Sequence, residues 1–308
     1  MTPLLQSALS SAGPDAEIIS RLWWLLFGGC SVLFVVVAVL VFASLRNTGW
    51  RSRSRMLVVG GGVLLPAPLL AALMAWSGWQ AHRLTWPHSA TAIHVTVTAR
   101  MWWWEVRYRD TRSGREAVLA NELHLPVGRP VYLALTSGDV MHTFWVPALA
   151  GKVDMLPGRM HGLVLRADAP GTYRGQCAEF CGIQHANMAL TVTAEPPADF
   201  DAWLAHQAAP AAPGAGPELR RGAALFVSAR CVSCHSVRGV ADGGTLGPDL
   251  THLASRSHIA AGALPMTHAG LLGWIGDPQA AKPGVHMPAS SLPPDDLQAL
   301  AAWLGTLR

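Results

Sequence analysis

Two clusters of soft ligands carry the chemistry of this 308-residue chain. The denser one is Cys177-Ala178-Glu179-Phe180-Cys181-Gly182-Ile183-Gln184-His185-Ala186-Asn187-Met188, with a lone histidine upstream in Asp139-Val140-Met141-His142. Two thiols, two imidazoles and a thioether suit copper far better than magnesium or calcium. A disulfide between cysteines four residues apart, or a structural Cys2His2 zinc site, uses some of the same residues. Neither explains a methionine three residues after the histidine, and two thiolates, unlike one, can bridge two metal ions. The second cluster is Cys231-Val232-Ser233-Cys234-His235, the C-x-x-C-H signature of covalent c-type haem attachment, with the histidine as proximal ligand. A sixth iron ligand must come from a later loop, where His286 and Met287 lie side by side.

The elements that must position these groups are legible in the hydropathy. Mean hydropathy is +0.28 and only 14% of residues are charged, more apolar than an ordinary soluble domain. Leu22–Leu45 and Met56–Gln80 contain no charge, and each can cross a hydrocarbon core of roughly 30 Å. Two transmembrane helices are therefore expected, about residues 22–45 and 56–79, within an N-terminal hairpin of residues 1–80. Trp76 and Trp79 stand at the outer interface of the second helix. Between the helices, Arg46, Arg51, Arg53 and Arg55 form an acid-free loop, which the positive-inside rule places in the cytoplasm. The first run continues some 15 residues past Cys30, too long for the core of a signal peptide, which leaves Cys30 a buried bystander rather than a lipidation site.

Beyond the second helix the period falls to two. Thr91–Thr98, Glu122–Leu125, Val131–Leu135 and Ala189–Ala194 alternate as short strands of an antiparallel sandwich or barrel over residues 81–205. Residues 206–217, rich in Ala, Pro and Gly, have the composition of a semi-flexible linker. Residues 218–308 then show helical patterns at Glu218–Ala229, His268–Ile275 and Asp295–Leu307, a domain near the lower size limit for a self-sufficient core; haem would be its staple. Residues 1–79 hold five Arg and two acids, residues 80–205 eleven charges of each sign, and residues 206–308 seven basic and six acidic. Most of the excess positive charge thus sits in the helical hairpin, and no nucleic-acid-binding face is indicated.

The copper-type cluster resembles the dinuclear CuA domain of cytochrome c oxidase subunit II. The resemblance extends to Met101-Trp102-Trp103-Trp104-Glu105, Lys152-Val153-Asp154-Met155-Leu156-Pro157-Gly158-Arg159 and Pro170-Gly171-Thr172-Tyr173, in the family's order, and covers roughly Leu22 to Ala194. It implies a membrane-anchored multidomain chain: two helices, a cupredoxin-like Greek-key β-sandwich and a fused, all-α, class I-like cytochrome c domain. Cys177 and Cys181 would bridge both coppers. His142 and Met188 would complete one ion, and His185 with the Glu179 carbonyl the other. The Glu179 side chain would face a magnesium ion shared with subunit I. Trp102 would receive electrons near the copper pair. The Met-Pro step after Asp277-Pro278-Gln279 and Lys282-Pro283-Gly284 resembles the distal loop of fused cytochrome c domains, favouring Met287 as sixth haem ligand over Met266 and His286. His252, His258 and His268 are expected to be ordinary surface or loop histidines.

The resemblance further implies a bacterial inner-membrane protein with both C-terminal domains on the periplasmic side. It would act with subunit I, subunit III, membrane lipid and an external donor such as a cytochrome c or a quinol-oxidising complex. In that complex it would relay electrons to oxygen reduction elsewhere. Against the family pattern, no Asp or Glu occurs from Ile18 to Trp104, so a carboxylate-led proton path through the second helix is not expected. A nitrous-oxide-reductase-like or stand-alone copper carrier shares the copper motif, but the two anchors and Glu179 favour an oxidase. The bridging thiols argue against a copper-delivery protein.

Overall fold

The computed structural model describes residues 6–46, 54–85, 93–111 and 113–308. Arg51 and Arg53 of the expected loop, and Thr91 at the start of the first expected strand, lie outside the described residues. The chain divides into two compact units, Glu17–Ser89 and Met1–Ala16 together with Ala90–Arg308.

The first helix, α1 (Pro14–Arg46), starts about two turns before the uncharged run. Proline in its first turn, acids near its start and a Glu17–Arg21 pair at 2.8 Å extend it into the polar segment. Cys30 is exposed on α1, not buried as the sequence suggested. The second apolar run is not one regular helix. A π-helical stretch over Leu57–Leu64 precedes α2 (Pro66–Thr85). Gly60, Gly61 and Gly62 loosen the ladder and Pro66 removes a donor, so Leu65 N reaches back to Gly60 O at 2.9 Å. Pro14–Arg46 and Leu57–His82 are both long and apolar enough to cross a membrane, and their large side chains, such as Phe34, Val58 and Met74, are exposed.

The other unit contains a sandwich of two five-stranded sheets. One has the order β3 (Glu116–Ala120), β2 (Trp103–Asp110), β1 (Ile93–Arg100), β5 (Val131–Ser137), β8 (His161–Leu165). The other has the order β4 (Glu122–Pro126), β10 (Ala189–Glu195), β9 (Gly171–Cys177), β6 (His142–Trp145), β7 (Val153–Met155). The alternation read from sequence is the alternation of burial: Ile93, Val95, Val97 and Ala99 of β1 face the core. Tyr108 locks the sheets together, its hydroxyl accepting from His124 N at 2.6 Å and donating to His124 O at 2.8 Å. Burial pushes this phenol well above its usual range. The segment before α1 straps onto the same sandwich, Ala12 N donating to Ala148 O (2.7 Å) and Asp168 N to Ala12 O (2.8 Å). A Cβ on Gly13 would lie 2.5 Å from Arg166 O, so this contact needs glycine.

After α3 (Pro197–Ala208) the chain reaches the helical domain, built on α4 (Pro217–Ser228), α5 (His268–Gly276), the short α6 (Pro278–Ala281) and α7 (Pro294–Leu304). Gly222 lets α4 and α7 cross closely, since a Cβ there would lie 2.2 Å from Ala299 O, and Phe226 packs on Trp303 at 5.2 Å. The proline-rich segment is not a free tether. Ala211 N donates to Arg238 O, Gly214 N to Thr306 Oγ1, and Arg238 to the carbonyls of Gln207 and Ala208. A composition without large side chains reads as flexible, but its backbone groups are satisfied by the domain it crosses.

Candidate metal and haem centres

The lower end of the sandwich gathers the soft donors from two places. His142 opens β6. Cys177 closes β9, and the loop that follows it carries Glu179, Cys181, His185 and Met188 before β10 begins. Gly182, at φ +112, makes the turn that folds this loop back, and a Cβ there would lie 3.0 Å from the Trp102 ring. The Cys177 and Cys181 sulfurs are 3.8 Å apart and unbonded, far beyond the roughly 2.05 Å of a disulfide. His142 Nδ1 lies 3.8 Å from Cys177 Sγ, His185 Nδ1 3.7 Å and Met188 Sδ 4.0 Å from Cys181 Sγ, and the Glu179 carbonyl 3.1 Å from Cys177 Sγ. The donor atoms of His142, Cys177 and Cys181 all lie within 4.8 Å of one another. Cys177, Cys181, His142 and Met188 are buried, His185 is half-buried, and the Glu179 side chain is exposed.

The two thiols are coupled through their mutual hydrogen bond, which holds Cys177 well below the usual thiol range, with His142 helping, and pushes Cys181 up. Burial alone would lower His142, but hydrogen bonds to Cys177 and Asp139 outweigh it and raise the imidazole. Asp139, not singled out from sequence, accepts from His142 Nε2 (2.8 Å) and from the backbone N–H of Met101 (2.7 Å) and Val140 (2.7 Å). It thereby leaves Nδ1 to face the sulfurs, the acid–imidazole support usual behind a metal ligand. Its position three residues before His142 was the available sign. This soft set, with both sulfurs unbonded, fits copper.

Trp102 lies in the turn between β1 and β2 rather than on a strand, with Trp103 and Trp104 opening β2. Its indole Nε1 donates to the Cys181 carbonyl at 2.8 Å. Trp104 is a core residue, edge-on to Phe144 at 5.8 Å. Trp102 is buried by the helical domain: the His286 ring lies 6.2 Å away, and Val285 packs on the sandwich core.

In that domain a 3-10 turn over Cys231–Ser233 follows α4 and leaves both thiols half-buried. His235 Nδ1 is 2.7 Å from Pro248 O, and burial lowers its pKa, keeping the imidazole neutral. Gly247 approaches so closely that a Cβ would lie 2.6 Å from the His235 ring. A neutral, oriented imidazole beside two free thiols fits covalent haem. Met287 and Met266 are both half-buried against this domain's core, whereas His286 is exposed. His258, in a two-residue strand, and His268, at the start of α5, make partly exposed contacts to Ser257 and Gln298. His252 lies in a turn but not at the surface: it is buried, with Nε2 3.0 Å from Ala209 O, because the segment after α3 closes over it.

A thiol–imidazole cluster in a β-sandwich, docked to a small helical domain with a C-x-x-C-H turn, defines a class of copper-and-haem redox chains with two apolar N-terminal helices. Residues 106–195 match the family "Cytochrome C oxidase subunit II, periplasmic domain" and residues 219–308 match "Cytochrome c". Cytochrome c oxidase subunit 2 of Alkalihalophilus pseudofirmus is 36% identical over 70% of this chain and 61% of its own length. That of Bacillus sp. (strain PS3) is 33% identical over 70% of this chain and 62% of its own. The chain thus spans about three fifths of these curated relatives. The periplasmic domain of subunit II of cytochrome oxidase from Bradyrhizobium japonicum is 27% identical, over 38% of this chain and 94% of that one, with a TM-score of 0.35. The chain belongs to the cytochrome c oxidase subunit II family, in a form that carries a cytochrome c domain at its C-terminus.

Proposed function

We propose that this chain is the electron-transfer subunit of a respiratory terminal oxidase, holding a dinuclear copper centre in its sandwich and a covalent haem c in its helical domain. The observation that carries the reading is the convergence of His142, Cys177, Cys181, His185, Met188 and the Glu179 carbonyl beside Trp102, which is itself covered by the haem domain. Haem held in the helical domain and copper held in the sandwich would supply one-electron transfer between an external donor and the oxygen-reducing partner.

The residues' work is to hold and orient. Cys177 and Cys181 would hold both coppers, His142 and Met188 would serve one ion, and His185 with the Glu179 carbonyl would serve the other. A sandwich core fixes this geometry, and a preorganised site needs little rearrangement on a change of charge. Cys231 and Cys234 would anchor the haem, His235 and Met287 would ligate its iron, and Trp102 would receive the electron on the copper side. The exposed Glu179 carboxylate is free to face a magnesium ion shared with subunit I.

The domains read as residues 1–80, 81–205, 206–217 and 218–308, with a Greek-key, cupredoxin-like sandwich and a multi-pass anchor. The strap at Ala12 and the sandwich belong to one folded unit, so the two spans between them return the chain to the side it left. With the arginine loop inside, both C-terminal domains lie on the periplasmic side of the bacterial inner membrane. Subunits I and III and an external cytochrome c or quinol-oxidising complex are the partners.

Metal and haem analysis of the purified complex tests this reading. It should find two coppers and one alkali-stable c-type haem on this chain, and a single copper would refute the dinuclear assignment. Met287→Ala should remove the sulfur-to-iron charge-transfer band and lower the haem potential, because a thioether ligand raises it. An unchanged band would make Met266 the ligand.

A further inference from the structure

Lys282 is a cation buried to 2% exposure in the seam between the haem domain and the sandwich. Its Nζ donates to Trp102 O at 2.8 Å and Asn187 O at 2.7 Å on the sandwich, and to Ala260 O at 3.1 Å on the haem domain. An ammonium has three donors, so it is saturated, and no acid is among its acceptors. The acceptors are not incidental ones. Trp102 is the residue whose indole donates to the Cys181 carbonyl, and Asn187 precedes Met188 in the loop that wraps the sulfurs.

The haem domain is shaped to present this side chain. Asp277 caps α6, accepting from Gln279 N, and Lys282 follows directly, its N–H closing on Pro278 O at 2.9 Å. Ala260 and Ala261 adopt left-handed backbone at φ 53 and 57, which L residues seldom do, and this turn carries the Ala260 carbonyl to Lys282. The turn also lies against β10, since a Cβ on Gly262 would be 3.0 Å from Ala189 Cβ. Beside the lysine, Gln184 Nε2 donates to Pro283 O at 2.7 Å. Two residues further on is Gly284, where a Cβ would collide with Ile183, and then His286, its ring facing Trp102.

We propose that Lys282 is the positioning residue that latches the haem domain onto the copper side, fixing the 282–288 loop and His286 over Trp102. This rests on the reading that electrons cross from the haem domain to the sandwich at Trp102. The latch replaces steering by surface charge with a buried, directional contact made once, within one chain.

The test compares the full-length haem- and copper-loaded protein with Lys282→Met and Lys282→Ala, first by hydrogen–deuterium exchange. Protection of the segments around Trp102 and residues 182–188 should fall at least about tenfold, since one hydrogen bond to a charged group is already worth about that factor and Lys282 makes two across the seam. Protection of β5 and both metal spectra should stay as they were. Haem-to-copper transfer after photoreduction should slow by a similar factor, and a part that depends on protein concentration should emerge. Unchanged protection overturns the latch; lost protection with an unchanged transfer rate overturns its positioning role. If the unaltered protein shows no such transfer, the functional reading fails, while the exchange comparison still decides whether Lys282 holds the domains.

Discussion

Cys177→Ser should abolish the seven-line hyperfine pattern of a mixed-valence copper pair and reduce bound copper from two ions per chain to one or none. Cys181→Ser should do the same. The reason is geometric: both thiolates would be needed to hold two coppers close together, and a serine hydroxyl is a poor, hard replacement for a thiolate. Both positions are about 5% exposed or less, so serine adds little water to the site. Far-ultraviolet dichroism should therefore remain that of the sandwich. Electron paramagnetic resonance at low temperature checks the result, and a surviving seven-line pattern in either variant would remove these cysteines as bridges.

An effect of similar size is expected in the helical domain. With Cys231→Ala and Cys234→Ala together, haem staining on a denaturing gel should vanish, while each single change should leave one thioether and some stain. The double change should also weaken the fold. The domain's core is small, with Phe226, Leu300, Trp303 and Leu304 as its centre, and a domain of this size is marginal without a covalent or ligand staple. Its thermal transition should drop or become non-cooperative, and the sandwich should still unfold separately. Haem retained on the gel after both substitutions would mean that the C-x-x-C-H turn is not the attachment site.

What was legible in the sequence were features whose chemistry is local. The β1 alternation survives as burial because side-chain direction in a strand is set by parity alone. The cysteine, histidine and methionine spacings announce their chemistry because one short loop carries most of the donors. Groups that meet only through the fold were not legible. Asp139 supports His142 through a turn that spacing hints at but does not fix. The strap at Ala12 and the docking of residues 207–214 depend on backbone hydrogen bonds to distant strands and loops, which composition does not encode. Lys282 stood out only as part of the Lys282-Pro283-Gly284 loop, and its partner Trp102 lies 180 residues away in sequence. The extension of α1 to Pro14 and the π-helical stretch at Leu57–Leu64 follow from capping, glycine and proline chemistry, which a count of apolar residues does not register.

Photoreduction of the haem in the full-length protein, followed by optical monitoring of the copper absorption, brings these strands together. A tether of about ten residues already gives an effective concentration near the millimolar range, and the docked arrangement removes even that search. The transfer rate is therefore predicted to be independent of protein concentration, and Trp102→Leu should slow it while leaving both metal spectra intact. A rate that rises linearly with protein concentration, or one indifferent to Trp102, would contradict a relay built into this single chain.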